Sequence, residues 1–229
     1  MSQLSLLQSA LAPRMEGINL WNCPVEELLP LTADLAIADP PWLNRSKHGE
    51  SGAHDHYDGL PVEQIIEHLE QIDAPRLVVW ITYPVWTADW PAALPGWGRP
   101  VTAGTWLKSD PDDSGHYGQG LHWAGCAEGV LVYTRPNAYN NKKALRNAWH
   151  EPAGLHSRKP VGWQAQMIRR WCPPGGTVFD PYAGLCSVPE AILELGKRYK
   201  YVGAEISAER YAQGSSLLAQ WTPHLGGLL

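Results

Sequence analysis

The segment Leu35-Ala36-Ile37-Ala38-Asp39-Pro40-Pro41-Trp42 constrains the fold more than any other stretch. Four aliphatic residues with no polar alternation suit a strand buried on both faces, as in a parallel sheet covered by helices. The run then stops on a carboxylate and two prolines. Proline has no backbone N–H for a ladder and biases the residue before it toward extended geometry. Asp39-Pro40-Pro41 is therefore expected to be a rigid corner with a fixed carboxylate and unpaired carbonyls. Ligands of open α/β sheets sit beyond the carboxyl ends of the strands, so the corner is also a place for chemistry.

Further strand-like runs fall at 18–21, 76–82, 101–107, 129–134, 177–180 and 201–206. Helical stretches are predicted over 24–31, 61–72, 160–171, 189–196 and 207–220. Val62, Ile65, Ile66 and Leu69 recur at helical spacing, and Ser207 is a natural N-cap. Strands alternating with helices predict an α/β fold, a mainly parallel sheet with helices on both faces. The 229 residues suit one domain. Residues 43–60, 109–125 and 136–157 lack periodicity and are expected to be loops facing a partner. The Trp-, Pro- and Gly-rich stretch 84–99 is expected to hold one irregular helix.

Charge is unevenly spread. Residues 1–130 carry six Lys and Arg against seventeen acids, whereas residues 131–172 carry eight against Glu151 alone. A local basic segment on an acidic chain fits a phosphate-contacting face. The cysteines Cys23, Cys126, Cys172 and Cys186 include no Cys-x-x-Cys pair, which predicts reduced thiols of a cytoplasmic protein. No apolar run approaches the length that crosses a bilayer, so no membrane partner is expected. His54-Asp55-His56 is metal-capable, but alternating side chains in a glycine-flanked loop need not converge, and no metal is expected. Several of the twelve Trp, Trp123 and Trp149 among them, fall in predicted loops where a ring can stack on a planar ligand. Trp80 and Trp171 fall in regular elements and are expected in the core.

A second constellation lies downstream. Val178-Phe-Asp-Pro-Tyr-Ala-Gly-Leu-Cys-Ser-Val188 reads as a strand running into a glycine turn and a helix, which brings backbone N–H groups close to a ligand. The next strand ends at Glu205, and an acid there commonly accepts from a ribose diol. With Asp180 and Glu205 both bringing negative charge, a cationic nucleoside cofactor suits the turn better than a phosphate.

Asp39-Pro-Pro-Trp42, His156-Ser-Arg-Lys-Pro160 opening a helix, Phe179-Asp-Pro-Tyr-Ala-Gly184 and Glu205 stand in an order that resembles the permuted (β-class) S-adenosylmethionine-dependent amino-methyltransferases. Trp106-Leu-Lys108 and Glu128 before Val130-Leu-Val132 add to the likeness. The Trp form of the first motif is similar to the MT-A70-like adenine-N6 methyltransferases, relatives of the messenger-RNA methylase. The resemblance implies a Rossmann-like, seven-stranded methyltransferase sheet with one antiparallel strand and a circularly permuted motif order. It implies that Asp39, Pro40, Pro41 and Trp42 hold the target base, with Asp39 also among the cofactor-binding residues. Lys159 and Pro160 would border S-adenosylmethionine. Asp180, Pro181, Tyr182, Ala183 and Gly184 would line its methionine end, Glu205 and Ile206 its ribose side, and Cys23 would join them. Nucleic-acid contacts are expected from Asn44, Arg45, Lys47, Lys108, Lys142, Lys143, Arg146 and Arg158. There is one departure: Cys186 stands where many relatives have a second glycine.

The chemistry agrees with this placement. The exocyclic amine of adenine is a poor nucleophile because its lone pair is delocalised into the ring. The Asp39 carboxylate and Pro40 carbonyl can accept its two hydrogens, so transfer is governed by orientation and electrostatics. Trp42 can stack on a base flipped from a duplex. The implied activity is methylation of adenine N6 in nucleic acid, DNA before RNA. Cytosine-N4 methylation of DNA, adenine-N6 methylation of RNA, and a catalytically silent nucleic-acid-binding subunit remain alternatives. The chain has little room for a separate recognition domain, which points to a short target sequence, a homodimer or an accessory subunit.

Overall fold

The computed structural model describes residues 16–42, 59–82, 89–109, 127–141, 144–152, 158–196 and 198–222. The aliphatic run of the opening motif forms β3 (Leu35–Ala38), buried at every position. It lies inside an eight-stranded sheet of order β1-β10-β9-β3-β5-β7-β6-β8. The other strands are β1 (Ile18–Trp21), β5 (Arg76–Ile81), β6 (Thr102–Ser109), β7 (Ala127–Thr134), β8 (Ala148–Pro152), β9 (Thr177–Asp180) and β10 (Lys200–Ala204). Neighbours pair in parallel except at β7, which is antiparallel to both β5 and β6. Two short strands, β2 (Leu31–Thr32) and β4 (Ile72–Asp73), pair separately.

Side chains alternate between two cores, as the two-residue period of a strand requires. Leu35, Ile37, Val78, Trp80, Val130 and Val132 face one, with α2 (Val161–Trp171) and α3 (Ser187–Glu194) packed over them. Ala36, Ala38, Leu77, Val79, Leu131 and Phe179 face the other, under α1 (Val62–Glu70) and the residues around Trp90 and Trp97. Burying an aliphatic side chain of this size contributes roughly 1.5–3 kcal/mol, so both layers hold the sheet. The abundance of Trp has a packing reason. Trp80 meets Trp106 and Trp163 edge-on at centroid distances of 6.1 and 5.5 Å, doing in one layer what several Phe would otherwise do. A fourth helix, α4 (Ala208–Ala219), is capped by Ser207, whose hydroxyl accepts from the Arg210 N–H.

The fold departs from expectation in three places. It has eight strands and not seven, because β8 forms within 136–157, where the sequence predicts only loop. The expected helix over 24–31 shrinks to one turn, Val25–Glu27, since Pro30 can neither donate to a helix nor let Leu29 enter one. Of the irregular helix expected within 84–99, residues 84–88 lie outside the described residues, and in the remainder Leu94 and Gly98 close a tight turn. Helix α3 starts at Ser187, two residues early, with Pro189 in the first turn where a missing N–H does no harm.

Chain direction places the site. From β9 the chain crosses by α3 to β10 on one side; from β3 it crosses by α1 to β5 on the other. Between the paired strands β9 and β3 the windings diverge, which leaves a crevice at their carboxyl ends. Asp180 ends β9 and Asp39 follows β3, so residues distant in sequence meet there.

Cys186 sits in that region with left-handed backbone (φ 61°, ψ 36°) and a fully buried side chain. Glycine adopts this conformation without strain, and glycine is the residue that the resemblance associates with this position. Room for the thiol comes from α4, where a Cβ on Gly214 would lie 2.5 Å from Cys186 Sγ. The two positions form a compensating pair. Gly214→Ala is expected to destabilise the protein by about 1–3 kcal/mol in urea unfolding, and Cys186→Gly added to it should recover most of that loss.

Candidate active site

The Asp39-Pro40-Pro41-Trp42 corner is rigid for reasons already in its sequence. Beyond β3 the Pro41 carbonyl accepts the Leu60 N–H at 2.7 Å, and Trp42 makes a parallel bridge with Leu60. The Trp42 ring meets Trp90 edge-on at 5.4 Å. Trp90 in turn donates its indole N–H to the buried Tyr133 hydroxyl at 2.8 Å. Trp42 is thus a half-buried ring whose orientation is fixed from behind.

Asp39 is held by charge. Lys159 Nζ lies 2.7 Å from Asp39 Oδ2 and 3.1 Å from Glu128 Oε2, and Lys108 pairs with the other oxygen of Glu128. Two acids and two ammonium groups make a neutral chain across the sheet edge. Burial alone would raise Glu128, but Lys159 and Lys108 outweigh it and bring the carboxyl down to about 2. Burial works to lower Lys159, and the flanking Asp39 and Glu128 reverse it, so its ammonium is retained. Burial pushes the Asp39 carboxyl up, with Lys159 opposing the rise. A third of the Asp39 side-chain surface (31 %) still faces solvent, whereas Lys159 keeps only 10 %. Asp39 is therefore the open end of the network.

The other wall is the turn after β9. Asp180 is buried and accepts from the Tyr201 hydroxyl and the Tyr182 N–H, each at 3.3 Å. Glu205, just beyond β10, accepts from the Gly184 N–H at 2.7 Å and the Ser207 N–H at 2.8 Å. The Ala183 N–H reaches the Ala204 carbonyl, and Asn22 donates to the Glu205 carbonyl, so turn and strand end are fastened together. Burial drives the Asp180 carboxyl up to about 8, helped by the charges of Asp39 and Glu205. Glu205 is also raised, again chiefly by burial. Asp180 has neutral donors for partners and acids for neighbours, so the pocket gains from a positive charge. Ile206, 65 % exposed, leaves an apolar side chain beside Glu205. Cys23 lies buried past β1 at the same sheet end, its thiol pushed up to about 11 by burial and by Glu27 and Glu26.

The sequence-predicted site residues thus fall into groups. Asp39, Pro40, Pro41 and Trp42 form one wall; Asp180, Pro181, Tyr182, Ala183, Gly184, Glu205 and Ile206 form the other; Lys159 joins the first to β7. Two residues expected to contact nucleic acid and one expected to stack on a planar ligand are committed elsewhere. Lys108 is in the buried network, Arg158 pairs with Glu190 of α3, and Trp149 is half-buried in β8 with its N–H on Glu151 at 2.6 Å. Arg146 is exposed before β8. Asn44, Arg45, Lys47, Lys142, Lys143, Trp123, His54, Asp55 and His56 lie outside the described residues. Among the described residues no three His, Cys, Asp or Glu gather as metal ligands, and no helix is long and apolar enough to cross a membrane. The sequence places Tyr201 only in a strand; an inward Tyr beside an acid-bearing strand end needs a hydrogen-bond partner, and Asp180 is that partner.

The doubly wound sheet with one reversed strand has the fold of the S-adenosylmethionine-dependent DNA methyltransferases. Among solved structures it is similar to the M1.HpyAVI–SAM complex (17 % identity, 88 % of this chain and 98 % of that one, TM-score 0.63). It is also similar to the cytosine-N4-specific PvuII DNA methyltransferase (12 %, 92 % and 88 %, 0.60). A third is TTHA0409 from Thermus thermophilus, complexed with S-adenosyl-L-methionine (15 %, 88 % and 93 %, 0.55). No protein-family model matches the sequence, and no curated protein does.

The raised Asp180 has a stability consequence. Its carboxyl titrates near 8 folded against an ordinary value of 3.8, so its favourable contribution is complete below the ordinary value and is lost as pH rises toward 8. Asp180→Asn keeps a hydrogen-bonding side chain and removes that loss. The variant should melt about 5 °C or more above the parent at pH 8.5, with a smaller gain at pH 5, in ligand-free thermal denaturation.

Proposed function

We propose that this chain transfers a methyl group from S-adenosylmethionine to the N6 amine of adenine in DNA. The observation that carries the reading is the meeting of the Asp39-Pro-Pro-Trp42 corner and the Asp180–Glu205 wall across one switch point. S-adenosylmethionine supplies a methyl group made electrophilic by a sulfonium cation. The residues present fit such a ligand: Asp180 and Glu205 favour positive charge, Glu205 retains lone pairs for a diol, and Ile206 offers an apolar contact. On the substrate side, Asp39 and the Pro40 carbonyl accept the amine hydrogens, and Trp42 stacks on the base. The target base must leave the duplex to reach them. The Asp-Pro-Pro-Trp form of the corner, similar to that of MT-A70-like enzymes, favours adenine. Arg146, exposed before β8, would make a phosphate contact. The same amine problem arises at cytosine N4, and likeness to the PvuII enzyme gives that base as the second reading.

Incubating the protein with methyl-labelled S-adenosylmethionine and DNA or RNA, then digesting to nucleosides, tests the assignment. Label in N6-methyldeoxyadenosine is expected. Label in N4-methyldeoxycytidine would move the activity to the second reading, label only in RNA would change the polymer, and none in either would overturn the reaction. Asp39→Asn should lower kcat by at least about 100-fold while cofactor affinity changes less than about tenfold.

Cofactor binding should depend on pH in a stated sense. A cation binds the ionised form of Asp180, so affinity should rise toward pH 8, by up to about tenfold per pH unit, and flatten above it. Calorimetry from pH 6 to 9 measures this slope, which Asp180→Asn should abolish.

A further inference from the structure

The turn after β9 is gripped from a third element that its sequence does not announce. The Tyr182 hydroxyl lies 2.9 Å from His68 Nδ1, in α1, and His68 Nε2 lies 3.1 Å from Glu26 Oε1. His68 is 4 % exposed and its ring stands 6.3 Å from that of Tyr182. A carboxylate only accepts, so Glu26 selects the tautomer with the proton on Nε2, and Nδ1 accepts from the tyrosine hydroxyl. Gln64, one turn earlier in α1, also reaches Glu26 Oε1 at 3.5 Å. The helix that carries His68 is itself fixed. It begins just after Leu60, which is bonded to the Pro41 carbonyl of the substrate-side corner. A histidine on the buried face of an amphipathic helix is costly unless both ring nitrogens are satisfied, and here the turn and its anchor satisfy both.

We propose that His68 is a positioning residue for the cofactor, fixing the 180–186 turn through the Tyr182 hydroxyl while Glu26 sets its tautomer. This rests on the reading of that turn as the cofactor wall. His68 touches no reacting atom; it removes freedom from Tyr182, whose own N–H is bonded to Asp180. Loss of the link therefore acts on cofactor binding more than on the methyl-transfer step.

Tyr182→Phe deletes only the hydroxyl, and His68→Leu deletes the acceptor. Each is expected to weaken S-adenosylmethionine binding about fivefold by calorimetry, and the double variant should lose no more than either alone. The KM for the cofactor should rise with kcat nearly unchanged, and Glu26→Gln, which keeps an acceptor oxygen, should bind like the parent. In the ligand-free protein, amides 183–186 should exchange faster in both single variants while those of β5 do not change. Parental cofactor affinity in folded His68→Leu, or losses that add in the double variant, would overturn the proposal. So would unchanged exchange at 183–186, which is read without cofactor. A parent protein that binds no S-adenosylmethionine would overturn the proposed function, and the exchange measurement would still decide whether His68 holds the turn.

Discussion

Lys159 between Asp39 and Glu128 is the contact on which the Asp39 side of the sheet depends. It lies just ahead of α2, Asp39 follows β3, Glu128 is in β7 and Lys108 is near the end of β6, so four separate elements converge on a few ångströms. Removing charges from water is expensive, and the network is tolerable because it is balanced and each carboxylate is engaged. Breaking it at one member would leave an uncompensated buried charge, typically a cost of about 3–5 kcal/mol. Glu128, held near 2, stays ionised over any ordinary pH, so Lys159 is pinned from behind whatever happens at Asp39.

The Asp180–Glu205 side is arranged on the opposite principle. Asp180 and Glu205 are buried with neutral donors, and acids add to the field that raises Asp180. The corner is neutral and complete without a ligand; the turn is left wanting a cation. That asymmetry lowers the stability of the free protein and would be recovered on binding, the usual relation between a preorganised site and its ligand. The left-handed Cys186 belongs to the same region, its conformation tolerated because Gly214 opens space for the thiol.

Much of this is legible in the sequence, and the failures have physical causes. β3, β9, α1 and α2 are visible there because apolar period and proline or serine signals report local structure directly. The pairing of Asp39 with Asp180 follows from strand order, which the motif order suggests and no periodicity encodes. The charge count puts Arg158 in a phosphate-contacting segment and the resemblance adds Lys108, but neither says where side chains point; both are turned inward onto acids. Arg135 is likewise engaged by Asp73. β8 escapes a sequence reading because Ala-Trp-His-Glu-Pro has no alternation. It forms because β6 needs a neighbour and because Glu151 takes up three N–H groups, from Trp106, Trp149 and Gly162.

On the proposed reading, the same lysine also limits how Asp39 can hold an amine. Lys159 already donates to Oδ2, so Oδ1 would take one amine hydrogen while the Pro40 carbonyl would take the other. The Pro41 carbonyl is already occupied by Leu60, which leaves the polar choice at the corner narrow. Trp42, braced by Trp90 and through it by Tyr133, sets the plane of the base independently of either acceptor. Orientation at this corner therefore comes from contacts formed before substrate arrives, and that freedom already lost in folding is what makes a weak nucleophile usable.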